Sequence, residues 1–203
     1  MEINRETAWA LVAEHVADSG LQRHMLAVGA AMGWYAAHLG LDSATQAYWQ
    51  GVGVLHDFDW EIHPDLNQHP VKGAEILRAR GVDAETIRVI LSHYTEGSGV
   101  ERSEPIDFAL LACDEITGLL IATALVRPSR DIREVKLSSV RKKWKNLRFA
   151  AGVDRNHVEA VTADFSRVCF AGALSLWDHI GHVLQAMQGA AAELALDGRL
   201  AVE

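Results

Sequence analysis

Apolar residues recur along most of the chain at three- and four-residue intervals, and convincing strand alternation is missing, so the pattern predicts helices nearly throughout. Read with their caps and glycine breaks, these helices fall at about 4–18, 21–39, 43–57, 70–80, 83–95, 105–125, 136–147, 154–168 and 173–195. Gly40 follows the second helix, Asp42 or Ser43 caps the third, Gly81 ends the fourth and Asp83 caps the fifth. The Gly-rich stretch TEGSGVERSEP at 95–105 reads as a mobile loop. The expected fold class is all-α: a helical bundle with its core at 1–125 and a helical extension at 126–203, packed on it as one compact unit.

Composition narrows the class. With 203 residues, 49% of them hydrophobic, the chain can bury a full core without disulfides. Cys113 and Cys169 stand in apolar stretches without CxxC spacing, which fits buried thiols in a reducing compartment and makes neither a candidate nucleophile. No window reaches the roughly 18 consecutive apolar residues of a membrane span, and the N-terminus lacks a secretory signal, so a cytoplasmic protein without a membrane partner is expected. The net charge of -8 disfavours nucleic acid as a partner.

The sharpest local feature is His56-Asp57 in WQGVGVLHDFDWE, where Trp49, Val52, Gly53 and His56 share one helical face. Neighbouring side chains on a helix diverge by about 100°, so if both residues ligate, the helix must end there; Pro64 is consistent with that. Further histidines stand at His24 in LQRHMLAVG, His69 in HPVKGAEIL and His93 in ILSHYTEG. Asp114 is set in the apolar FALLACDEITGL, where a carboxylate needs a partner to offset its desolvation, and a metal would be one.

In this order of residue types, residues 20–125 resemble the HD superfamily of metal-dependent phosphohydrolases. The resemblance implies that His24, His56, Asp57 and Asp114 form a basic metal set and that His69 and His93 complete the longer set of members holding two metals. The doublet is followed by FDWE rather than IGK and the GYP element is missing, which moves cyclic-dinucleotide cleavage out of first place. The segment running on to about residue 155 is similar to a small bacterial and archaeal subgroup of predicted HD hydrolases. Imidazole and carboxylate donors suit Mn, Fe, Co, Ni, Zn or Mg without choosing among them. Two such cations would brace an in-line phosphoryl displacement, with Asp57 as the bridge between them.

Around this set, Lys72 lies three residues after His69 and on a helix would neighbour it, placing its ammonium near a substrate phosphate or the metal-bound water. Asp59 and Glu61 could orient ligand histidines or carry a proton, and Asp59 is the expected catalytic auxiliary. The segment 127–148 holds nine Lys or Arg against Asp131 and Glu134, and offers Arg127, Lys136 and Lys143 as phosphate contacts. Val140, Trp144 and Leu147 there form an apolar helical side. Asp107 reads as a helix-surface acid, and His15, His38, His63, His157, His179 and His182 as structural. The expected function is hydrolysis of a small phosphoester, with a nucleotide among the candidates. The alternatives are a di-iron HD-type oxygenase cleaving a C–P or C–C bond and a non-catalytic nucleotide-binding module. A homodimer is compatible with either.

Overall fold

A computed structural model describes residues 1–201. Its helices are α1 (Arg5–His15), α2 (Ser19–His38), α3 (Ser43–Leu55), α4 (Val71–Ala79), α5 (Ala84–Ser92), α6 (Thr95–Ser98), α7 (Pro105–Leu125), α8 (Leu137–Trp144), α9 (Arg155–Phe170) and α10 (Leu176–Gly189), with a 3-10 turn at Ile132–Glu134. The described residues hold no strand, only one isolated bridge between Asp131 and Asp197, so the fold is all-α. All nine sequence-predicted helices are present. The stretch at 95–105, expected to be a loop, contains α6. There the Ser98 hydroxyl donates to the Leu91 carbonyl at 2.6 Å and Arg102 donates to the Ser92 carbonyl at 2.9 Å.

The helices start where a side chain can take the first unpaired backbone N–H groups. Asn4 and Thr7 form a capping box on α1, Asp18 accepts from Leu21 N, Asp42 from Thr45 N and Asp83 from Thr86 N. Between the two caps open at the start of α3, the structure uses Asp42.

Two compact units divide the chain, Met1–Leu111 and Ala112–Glu203, and the division falls inside α7. In the first unit α2 and α3 pack most extensively. They run antiparallel, since Gly29 meets Val54 while Gly33 meets Gln50. At the crossing a Cβ on Gly53 would stand 2.9 Å from the Gly29 backbone, so glycine on both helices is what permits this approach. Met32 lies against Gly53 there, and Met25, Met32, Tyr35, Leu55 and Phe58 of this unit are fully buried, each contributing on the order of 2 kcal/mol by removal from water. This crossing sets His24, five residues before Gly29, beside His56, three residues after Gly53.

In the second unit α10 packs on α8, α9 and the 3-10 turn. Gln188 fastens that turn by donating to the carbonyls of Ile132 and Val135. Ile116, Leu120, Val140, Phe165, Ile180 and Met187 are buried. The apolar side expected at 136–147 is shorter than the spacing suggests: Val140 is buried, but Leu147 lies beyond the end of α8 and is 71% exposed.

α7 is the most apolar of the long helices. Although no long unbroken apolar run exists, this 21-residue helix, with a mean hydropathy of 1.8 over its best window, is long and apolar enough to cross a membrane. Its Ile106, Ala109, Leu110, Ile116, Leu119, Leu120 and Ala124 are buried, as those of a core helix are.

Candidate metal centre

Four histidines reach one carboxylate in the first unit. His24 comes from α2, His56 is the residue on which α3 ends, and Asp57 opens the turns that follow. The helix does stop at the doublet, which lets His56 Nε2 and Asp57 Oδ2 face each other at 3.5 Å. His69 precedes Pro70, the cap of α4, and His93 closes α5.

Asp57 lies between two pairs of imidazoles. Its Oδ2 is 3.7 Å from His24 Nε2 and 3.5 Å from His56 Nε2. Its Oδ1 is 3.4 Å from His69 Nε2 and 3.4 Å from His93 Nε2. Each group of three offers two imidazole nitrogens and one carboxylate oxygen to a single cation.

The remaining ring nitrogens decide whether these donors fit a metal. A carbonyl oxygen can only accept, so His56 Nδ1, 2.8 Å from the Gly53 carbonyl, carries the hydrogen, as does His93 Nδ1 against the Ile90 carbonyl. His69 Nδ1 donates to Asp59 Oδ1 at 2.9 Å. In the neutral ring each Nε2 is then an acceptor, and each faces Asp57. His69 Nε2 and His93 Nε2 stand 3.0 Å apart, and two lone pairs at that distance repel unless a cation lies among them. Two nitrogens about 2.1 Å from one ion and at right angles to each other stand about 3 Å apart. The residues present fit a metal.

Asp59 is fully buried, and its second oxygen accepts from Gly73 N at 3.0 Å. A Cβ on Gly73 would lie 2.5 Å from the Asp59 carboxyl carbon, so the glycine of HPVKGAEIL makes room for this carboxylate. That something approaches the backbone at Gly73 was open to detection in the sequence, because a glycine in the first turn of a helix is costly otherwise, but not that the group is Asp59. Trp60, whose ring stands edge-on to His69 with centroids 5.0 Å apart, was given no role by the spacing.

The other expected site residues are placed as follows. Lys72 is not brought to the histidines: its Nζ pairs with Glu75 at 3.0 Å on the exposed side of α4. Glu61 accepts from Ala17 N and Asp18 N, fastening the α1–α2 turn rather than a ligand. Asp114 is half-buried on α7 in the second unit and belongs to neither three-residue group. Arg127, Lys136 and Lys143 also lie in the second unit. There Arg127 pairs with Glu134 at 2.8 Å, Lys143 sits over the Phe149 ring at 4.5 Å and Lys136 is exposed before α8.

Asp107 corrects its reading as a surface acid. It is fully buried, bonds Arg88 through both oxygens at 2.8 and 2.9 Å, and accepts from Ser103 N and Glu104 N ahead of α7. Neither cysteine is in a disulfide. Burial raises the Cys113 thiol far above its ordinary range and pushes Cys169 up to about 11, which keeps both protonated and poor nucleophiles. No model of a protein family matches the sequence, and neither a curated protein nor a solved structure matches the chain.

Proposed function

We propose that this chain is a metal-dependent phosphohydrolase that holds two divalent cations between His24, His56, His69, His93 and Asp57 and cleaves a small phosphoester, a nucleotide being one candidate. The observation that carries the reading is that each Asp57 oxygen faces its own pair of imidazole nitrogens. A cation pair held in this way supplies an activated water and positive charge opposite the phosphoryl oxygens. The chain's residues supply the rest. The Asp57 and His24 side chains are 17% and 19% exposed while His56 is fully buried, so a phosphoester enters on the His24 and Asp57 side and water is excluded behind His56. The HD resemblance adds Asp114 as a further ligand, an assignment that rests on the sequence alone.

The test is phosphate release from a panel of nucleotides and sugar phosphates with Mn²⁺ or Co²⁺ present. Wild type is expected to turn over at least one of them, and Asp57→Ala none, with its helical circular dichroism intact. Turnover by metal-loaded Asp57→Ala at the wild-type rate would overturn the reading.

The same geometry favours one other reading, because two imidazoles and a carboxylate per cation with open positions is also the donor set of iron oxygenases. Two equivalents of iron in protein purified without chelators, together with oxygen-dependent turnover, would move the assignment from hydrolysis to oxidation.

A further inference from the structure

We infer that Asp59 is a positioning residue that holds His69 in the one tautomer able to ligate, and so sets the metal affinity of one half of the centre and not of the other. The inference rests on the metal reading proposed above. Both Asp59 oxygens are engaged away from the centre, Oδ1 by His69 Nδ1 at 2.9 Å and Oδ2 by Gly73 N at 3.0 Å, so Asp59 acts only through His69.

The supports of the imidazoles differ in kind. His56 and His93 are held by the backbone carbonyls of Gly53 and Ile90, which no side-chain substitution removes. His69 is held by a side chain. Of the two halves, only the one built on His69, His93 and Asp57 Oδ1 depends on Asp59.

Asparagine exposes this dependence. Two N–H donors, from His69 and Gly73, point at the Asp59 oxygens, but an asparagine has one oxygen and an amide group that is itself a donor. The Gly73 N–H is fixed by α4, so the oxygen turns to it and the amide faces His69 Nδ1. His69 then moves its ring hydrogen to Nε2, the nitrogen that would ligate. Loss of such an outer partner lowers metal affinity about 10–100-fold.

The experiment titrates Mn²⁺ into wild type and Asp59→Asn by calorimetry and reads the His69 tautomer in both metal-free proteins from nitrogen-15 shifts. Wild type is expected to bind two equivalents. In Asp59→Asn one equivalent keeps its affinity, the other weakens by about 10–100-fold, and the ring hydrogen moves to Nε2. Unchanged affinity for both, or equal weakening of both, overturns the inference. If wild type takes up no Mn²⁺, the metal reading fails, and the tautomer still decides on Asp59: a hydrogen that stays on Nδ1 in Asp59→Asn overturns its role. Should that variant lose its helical circular dichroism, Gly73→Ala displaces the same carboxylate while keeping both oxygens. It is expected to weaken the same single equivalent, and an effect on both or neither counts against Asp59.

Discussion

Each unit buries histidine, and the two treat it in opposite ways. In the first, His56, His69 and His93 give their Nδ1 hydrogens to nearby acceptors and turn Nε2 toward one shared carboxylate. In the second, His179 is fully buried and donates Nε2–H to the Ala112 carbonyl at 2.9 Å. Burial holds its pKa down to about 4, and neighbouring His182 adds to the shift against the pull of the carbonyl. Burial by itself therefore does not mark a residue as part of the candidate centre. What separates the two cases is what Nε2 faces: a carboxylate shared by several rings in the first unit, a single backbone carbonyl in the second.

The largest effect that tests this contrast is loss of metal. His56→Ala is expected to cost more than the about 100-fold that removal of an outer partner can cost, read as affinity for Mn²⁺. His179→Ala should leave the metal stoichiometry unchanged and lower stability by about 2–3 kcal/mol, as truncation of a buried, bonded side chain does. Metal loss of equal size in both folded variants would erase the distinction.

A smaller but still large effect is expected at Asp107. Its pair with Arg88 is buried on the carboxylate side, so Asp107→Ala leaves a guanidinium and two backbone N–H groups without their acceptor. Breaking a fully buried pair costs about 3–5 kcal/mol; with Arg88 a quarter exposed and also paired to Glu85, about 2–3 kcal/mol is expected by urea unfolding. Mn²⁺ affinity should not change, which separates a buried carboxylate that ties helices together from one in the proposed metal centre.

Asp107 also shows where the sequence stops being legible. Helices, caps and the histidine order are local patterns, and apolar spacing with N-cap residues recovers them to within about three positions, except that the last helix ends at Gly189 rather than 195. The partner of Asp107 lies 19 residues away, on another helix, and nothing near Asp107 indicates it. Lys72 fails for a different reason. Neighbourhood at i and i+3 holds only on a helix, and α4 starts at Val71, after His69, so the spacing carries no contact. The carboxylate–imidazole pairing of Asp59 with His69 was legible as one of several options, since Asp59 follows the doublet. The Gly73 cradle that selects it depends on a turn whose path the sequence does not specify.

The titration of His179 gives an effect of intermediate magnitude. A histidine with a folded pKa of about 4 and an unfolded value of 6.5 takes up its proton more readily when unfolded. Its contribution to stability is therefore complete above pH 6.5, and falls as the pH drops from there toward 4. Between pH 7 and pH 5 His179 is expected to account for about 2 kcal/mol of lost stability, and His179→Gln should flatten that part of the profile. A profile unchanged by the substitution would mean that His179 is not held neutral by burial.

The smallest effect concerns adjacent residues of α4. Gly73 faces the Asp59 carboxylate, while Lys72 points to solvent with Glu75, both about half exposed. An exposed pair three residues apart on a helix contributes about 0.3–0.5 kcal/mol, so Lys72→Ala should shift stability by no more than that and leave Mn²⁺ affinity unchanged. Its effect on phosphate release is the more informative number. If Lys72 stays with Glu75, Glu75→Ala and Lys72→Ala are both silent in turnover. If the ammonium leaves Glu75 to meet a bound phosphate, Lys72→Ala raises KM while Glu75→Ala, which frees the ammonium, lowers it. Opposite signs from these two substitutions would return Lys72 to the site and restrict the contrast between the faces of α4 to the substrate-free protein.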